Sequence, residues 1–92
     1  MPSYLVETYL SRSRASERAA HDERARAAAE GLTRERRHVR FTQSIYVRED
    51  ELCFYIFDAP SAKVAGLAAR RAGIDPLRVV RADSSGKENG ES

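Results

Sequence analysis

Val39-Arg40-Phe41-Thr42-Gln43-Ser44-Ile45-Tyr46-Val47 runs into Arg48-Glu49-Asp50-Glu51, and that into Leu52-Cys53-Phe54-Tyr55-Ile56-Phe57. The first run alternates apolar and polar side chains, the pattern of a strand buried on one face. The four charged residues make a short turn. The last run holds no polar residue at all, is rich in aromatics and again reads as a strand. Strand, short turn and strand make a β-hairpin, and the rest of the chain is organised around it.

On the N-terminal side, residues 3–10 (Ser-Tyr-Leu-Val-Glu-Thr-Tyr-Leu) read as a strand. Ser11 to Ala15 is a polar break in which Ser13, and Ser16 just after it, offer helix N-caps. An alanine-rich helix is predicted from Glu17 to about Arg36, with His21, Ala25, Ala28, Ala29 and Leu32 as its inward stripe. On the C-terminal side, Asp58-Ala59-Pro60-Ser61 ends the hairpin and Ser61 caps a second helix over residues 62–72. Val64, Leu67, Ala68 and Arg71 fall on one side of that helix, and Gly73 suits the residue just past its end. Residues 77–82 form a last strand. The order β-α-β-β-α-β predicts a ferredoxin-like α+β domain over residues 1–82, a four-stranded antiparallel sheet with two helices on one face. Residues 83–92 have the composition of a disordered tail.

Ninety-two residues allow one domain. No apolar stretch approaches the ~20 residues of a membrane span, so no membrane partner is expected. The start Met1-Pro2-Ser3 lacks the marks of a signal peptide, and a cytoplasmic location is the expectation. A single cysteine, Cys53, leaves no internal disulfide and no all-cysteine zinc site. Phosphate-loop, Cys-x-x-Cys, His-Glu-x-x-His and Gly-x-Ser-x-Gly motifs are missing. From Arg12 to Arg40 there are nine arginines against five acids. They alternate with acids along a helix and have no aromatics between them, so they read as a solvated face rather than a nucleic-acid surface.

Alternation along the strands groups Phe54 and Ile56 with Val6, Phe41, Ile45 and Val79, the set expected beneath the helices. The bare face would then carry Leu5, Glu7, Tyr9, Arg40, Thr42, Ser44, Tyr46, Cys53, Tyr55, Phe57, Arg78 and Val80. A face so apolar marks an interaction surface, and a two-fold homodimer with sheets packed face to face is the expectation. Glu7 lies mid-strand and needs a cationic partner, for which Arg40 and Arg78 are both in reach. A small cavity between the sheets could use Glu7, Arg40 and the tyrosines as its polar groups.

Other groups have plainer readings. His21 on the helix stripe reads as a partly buried, satisfied histidine. His38 reads as an exposed loop-end residue, a general base only if a substrate cavity lies beside it. Cys53 reads as a small buried hydrophobe, and Tyr9, Tyr46 and Tyr55 as interface packing whose hydroxyls would line any pocket.

Val39-Arg40-Phe41, Cys53-Phe54, Asp58-Ala59-Pro60-Ser61, Arg71-Ala72-Gly73 and Arg78-Val79-Val80 together resemble a family of small bacterial proteins known as a domain of unknown function, some of them nickel-binding. The resemblance spans about residues 4–82. It implies a ferredoxin-like fold assembled as a dimeric α/β barrel. It also implies a nickel set with two histidines four apart on the second helix and one on the first strand. The matching positions here are Ala68 and Ala72, with Glu7, Thr8 and Tyr9 on the strand, so this chain resembles a branch without that set. His21 and His38 remain as weak metal candidates. The expected function is a small dimeric binding or accessory protein, with Glu7, Tyr9, His38, Arg40, Tyr46, Cys53 and Tyr55 as candidate ligand contacts. The alternatives are a cofactor-free dimeric-barrel enzyme (a cyclase, isomerase or monooxygenase) acting on a small aromatic substrate, or a transition-metal binder.

Overall fold

The computed structural model describes residues 1–83, so the tail predicted over residues 83–92 lies outside it apart from Asp83. The elements are β1 (Ser3–Tyr9), α1 (Arg18–Arg34), β2 (Arg40–Val47), β3 (Leu52–Asp58), α2 (Ala62–Arg71) and β4 (Arg78–Ala82). The sheet order is β2-β3-β1-β4 and every neighbour is antiparallel. This is the ferredoxin-like α+β arrangement, with both helices on one face.

The helix boundaries follow local chemistry. Ser61 caps α2 as expected, its hydroxyl accepting from the Val64 amide at 3.3 Å. α1 does not start on Ser13 or Ser16. The polar break instead coils into a 3-10 turn over Arg12–Glu17 that runs directly into the helix, so α1 begins without a side-chain cap. Both helices end alike. The Gly73 and Ile74 amides reach back to Arg70 and Ala69, and the Arg36 and Arg37 amides reach back to Thr33 and Leu32. This six-residue closure needs a left-handed residue just past the helix, supplied by Gly73 (φ 80) and by Arg36 (φ 70).

The core lies between the helices and the sheet. Val6, Leu32, Cys53, Tyr55 and Phe57 are its largest fully buried side chains. Phe41 packs on Phe57 and Tyr55 with ring centres 5.4 and 6.4 Å apart. α1 contributes Ala25, Ala28, Ala29 and Leu32 as predicted, and α2 contributes Ala65, Gly66, Ala68 and Ala69. Small side chains bring each helix close to the sheet but bury little area, so the aromatic strand residues carry most of the apolar burial. Arg71, grouped by spacing with the inward side of α2, is exposed and pairs with Glu35, just past the end of α1, at 2.8 Å.

The two faces of the sheet are not those read from the alternation. In β3 it is Cys53, Tyr55 and Phe57 that turn to the helices, while Leu52, Phe54, Ile56 and Asp58 line the bare face. The register requires this, because buried Val6 stands opposite Tyr55, and buried Tyr4 opposite Phe57. Ile45 also moves to the bare face. A bulge between Phe41 and Gln43 inserts one extra residue, and a single inserted residue inverts every side chain beyond it. Phe41 therefore faces inward with Phe57, yet Ile45 stands with Phe54 on the outside, and Ser44 and Tyr46 face the helices. Leu5, Glu7, Tyr9, Arg40, Arg78 and Val80 sit on the bare face as expected.

Candidate functional site

The bare face is an apolar field crossed by two ion pairs. Leu5, Val47, Leu52, Phe54, Ile56 and Val80 are half-buried by one another, and Ile45 is 46% exposed. Glu7 stands opposite Arg78 in the β1–β4 ladder, and Arg78 Nε donates to Glu7 Oε1 at 2.8 Å. Arg40 stands opposite Asp58, and its Nη2 donates to Asp58 Oδ2 at 2.6 Å. Arg40 does not partner Glu7, because β3 lies between β2 and β1. Burial pushes the Asp58 carboxyl up, but the Ser3 hydroxyl at 2.7 Å and the Arg40 guanidinium outweigh it and hold it below the ordinary range. Both pairs close within one chain, so the field they interrupt carries no unmatched charge from them.

The tyrosines have structural partners. Tyr9, 58% exposed at the end of β1, donates to Glu51 Oε1 at 3.2 Å. The other Glu51 oxygen accepts from the Arg12 amide at 2.8 Å, so the hairpin turn clasps the chain leaving β1. Tyr46, on the helix side, donates to the Leu10 carbonyl at 2.7 Å. Tyr55 is wholly buried, with its hydroxyl 3.0 Å from His21 Nδ1.

Burial, and then the nearby Arg24, lower the His21 pKa, so its ring is neutral at pH 7. Burial, and then Cys53, raise that of the Tyr55 hydroxyl. Tyr55 is therefore the donor and His21 Nδ1 the acceptor. His21 Nε2 lies 4.0 Å from Glu17 Oε1. Burial also pushes the Cys53 thiol up, and Cys53 is fully buried. A raised, inaccessible thiol is a poor nucleophile. Cys53, Tyr55 and Tyr46 thus belong to the helix-side core and do not join Glu7, Tyr9 and Arg40 in one site. His38, in the loop before β2, is exposed.

Two concavities lie off the bare face. A small one of about 160 Å³ sits at the end of β1 among Thr8, Leu10, His21 and Ile74. A larger groove of about 490 Å³ runs between α1 and the edge strand β2, with Ala29, Val39 and Phe41 as its floor and Arg26, Arg34 and Arg40 on its rim. Of the groove residues, only Arg40 is a candidate ligand contact from the sequence, where Ala29 and Phe41 read as core. The arginines of α1 look like any solvated face until the helix is laid against an edge strand.

The residues do not fit the nickel set that the family resemblance implies. Ala68 and Ala72 are buried and carry no ligating atom. His21 lies in the first turn of α1 and His38 in the loop past its other end, and the helix from His21 to Arg34 runs on the order of 20 Å at ~1.5 Å per residue. Among the described residues, no three His, Cys, Asp or Glu side chains cluster as a metal site would require. No helix among them is long and apolar enough to cross a membrane.

Fold and site together define a small ferredoxin-like α+β protein with one apolar sheet face and a basic groove. No protein-family model and no curated protein matches the chain. The fold recurs in the crystal structure of SCO4226 from Streptomyces coelicolor A3(2), which is 17% identical. The match covers 91% of this chain and 99% of that one, at a TM-score of 0.68. At that identity the likeness speaks for the fold alone.

Proposed function

We propose that the protein is a small homodimeric binding or accessory protein, assembled by packing two bare sheet faces across a two-fold axis. One observation carries the reading: Leu5, Ile45, Leu52, Phe54, Ile56 and Val80 form a continuous apolar field on the side the helices leave open. Four strands at ~4.8 Å spacing and about seven residues at ~3.4 Å give a face of roughly 450 Å², ion pairs included. Soluble monomers rarely leave such a surface to water unless it is used. A sheet apolar on both faces is normally covered on both. The internally closed pairs Glu7–Arg78 and Arg40–Asp58 let the face dock without stranding a charge.

The binding reading outranks the enzyme reading on the placement of the titratable groups. Among the described residues, the donor–acceptor pair of acid–base character in the core, His21 with Tyr55, spends its shared hydrogen bond on itself. The thiol beside it is buried.

Light scattering at micromolar protein tests the assembly. A particle of twice the 10.3 kDa chain mass supports it, and a particle of one chain mass overturns it.

A further inference from the structure

We propose that the groove between α1 and β2 is a binding site for a small organic carboxylate with an apolar body, such as a medium-chain fatty acid or an aromatic acid. The proposal rests on the binding-protein reading and names the ligand class that reading leaves open. Its volume of about 490 Å³ falls within the ~300–1,000 Å³ of ligand pockets, which combine an apolar lining with a few polar groups.

The floor is apolar and firm. Ala29, Val39 and Phe41 are 2%, 5% and 7% exposed. Thr33 fixes the loop that carries Val39, donating to the Val39 carbonyl at 2.9 Å and accepting from its amide at 3.2 Å. The groove exists because α1 presents alanine here, leaving the space above an edge strand unfilled.

The rim is cationic. Arg26, Arg34 and Arg40 stand against one acid, Glu30. Arg26 lies over the Phe41 ring, its guanidinium carbon 5.5 Å from the ring centre. It keeps only a long 3.7 Å contact with the exposed Glu23. Arg34 has no ion-pair partner among the described residues. Arg40 engages Asp58 through Nη2. A guanidinium offers five donors in a planar fork that matches a carboxylate, so most donors on this rim are spare. Cationic forks above a buried phenyl ring and a valine select a negative head joined to a hydrocarbon body. A hydrophilic anion would gain nothing from the floor, and a neutral hydrocarbon nothing from the rim.

The test is calorimetric titration of the full chain with decanoate, beside decanol as the uncharged control. Saturable binding of one decanoate per chain is expected, weakening with salt, with decanol at least about tenfold weaker. Replacing both Arg26 and Arg34 by Gln should weaken decanoate about tenfold or more, and Glu30→Gln should tighten it. These are exposed helix positions, so circular dichroism should show the fold retained. An acidic lipid surface presents the same head chemistry, so sedimentation with phosphatidylglycerol vesicles is the further arm. Equal affinity for decanoate and decanol, indifference to the arginine or Glu30 changes, absence of saturation, or binding to vesicles without binding of free decanoate would each overturn the proposal. Ile56→Asp, on the bare face, should leave decanoate binding intact. The assembly is read separately by light scattering, so the two readings fail independently.

Discussion

Glu7 and Arg78 are cross-strand partners on the bare face, joined at 2.8 Å with the Glu7 side chain 16% and the Arg78 side chain 67% exposed. In the single chain the arginine is largely in water, and there the pair is worth only about 1 kcal/mol. Glu7→Gln should lower Tm by about 4–8 °C in a circular dichroism melt and leave decanoate binding unchanged. Loss of ligand without loss of Tm would make Glu7 a site residue, not a register-setting one.

Ile56 stands on β3, beside Leu5 of β1 and Gln43 of β2, well inside the field. It is half-buried in the single chain, so a carboxylate there can still reach water. Between two packed sheets that carboxylate would be desolvated without a partner, at a cost of several kcal/mol. Ile56→Asp should therefore halve the particle mass in light scattering and remove the concentration dependence of Tm. A variant that keeps the wild-type dimer would place the interface elsewhere.

These residues show where the sequence was legible. Element order, the hairpin, the Ser61 cap and the Gly73 terminus could all be read, since each has a local signature. The faces of β3 are harder to read. Leu-Cys-Phe-Tyr-Ile-Phe has no polar residue to mark a side; the one mark is Asp58 at the strand's end, which shares its parity with Phe54 and Ile56 and so points to the bare face they occupy. β2 misled for another reason: its alternation is real, but the bulge at Thr42 shifts its phase partway along. Glu7 and Arg78 were placed correctly because a charge in mid-strand identifies its own face. The groove was illegible because it belongs to no single segment. It forms only where alanines of α1 pass over the edge of β2.

His21 is neutral in the folded chain, its pKa lowered by burial from the ordinary 6.5. Below about pH 6.5 the unfolded chain binds a proton that the folded chain resists, so stability is lost as pH falls through that value and regained as it rises. Asp58, held below its ordinary 3.8, withdraws its contribution only in stronger acid. Melts from pH 7.5 to 5 should show a decline in Tm that His21→Gln removes. If the variant keeps the same slope, some other group governs it.

Tyr55 buries its ring and donates to His21. Tyr55→Phe keeps the ring but leaves His21 Nδ1 without its donor, which should cost about 1–3 kcal/mol. It should also shift the imidazole titration, followed by proton NMR. Cys53 beside it should resist alkylation by iodoacetamide in the native protein and react once denaturant opens the core. Rapid native labelling would contradict its burial.

α1 and α2 close with the same six-residue pattern but different residues at the left-handed position, Arg36 in one and Gly73 in the other. A side chain at positive φ costs roughly 1 kcal/mol that glycine does not. A Cβ on Gly73 would meet nothing nearer than Arg24 Nε at 4.0 Å, so Gly73→Ala should lose only this conformational term. Arg36→Gly should gain it, because Arg36 is exposed and forms no ion pair among the described residues. Tm should fall by about 4–8 °C in the first variant and rise comparably in the second. Glycine also widens the unfolded ensemble, which softens the loss at Gly73 and the gain at Arg36 alike, so both shifts should fall toward the low end of that range. A fall in Tm for Arg36→Gly would mean that the arginine side chain holds the α1–β2 loop by more than its backbone conformation.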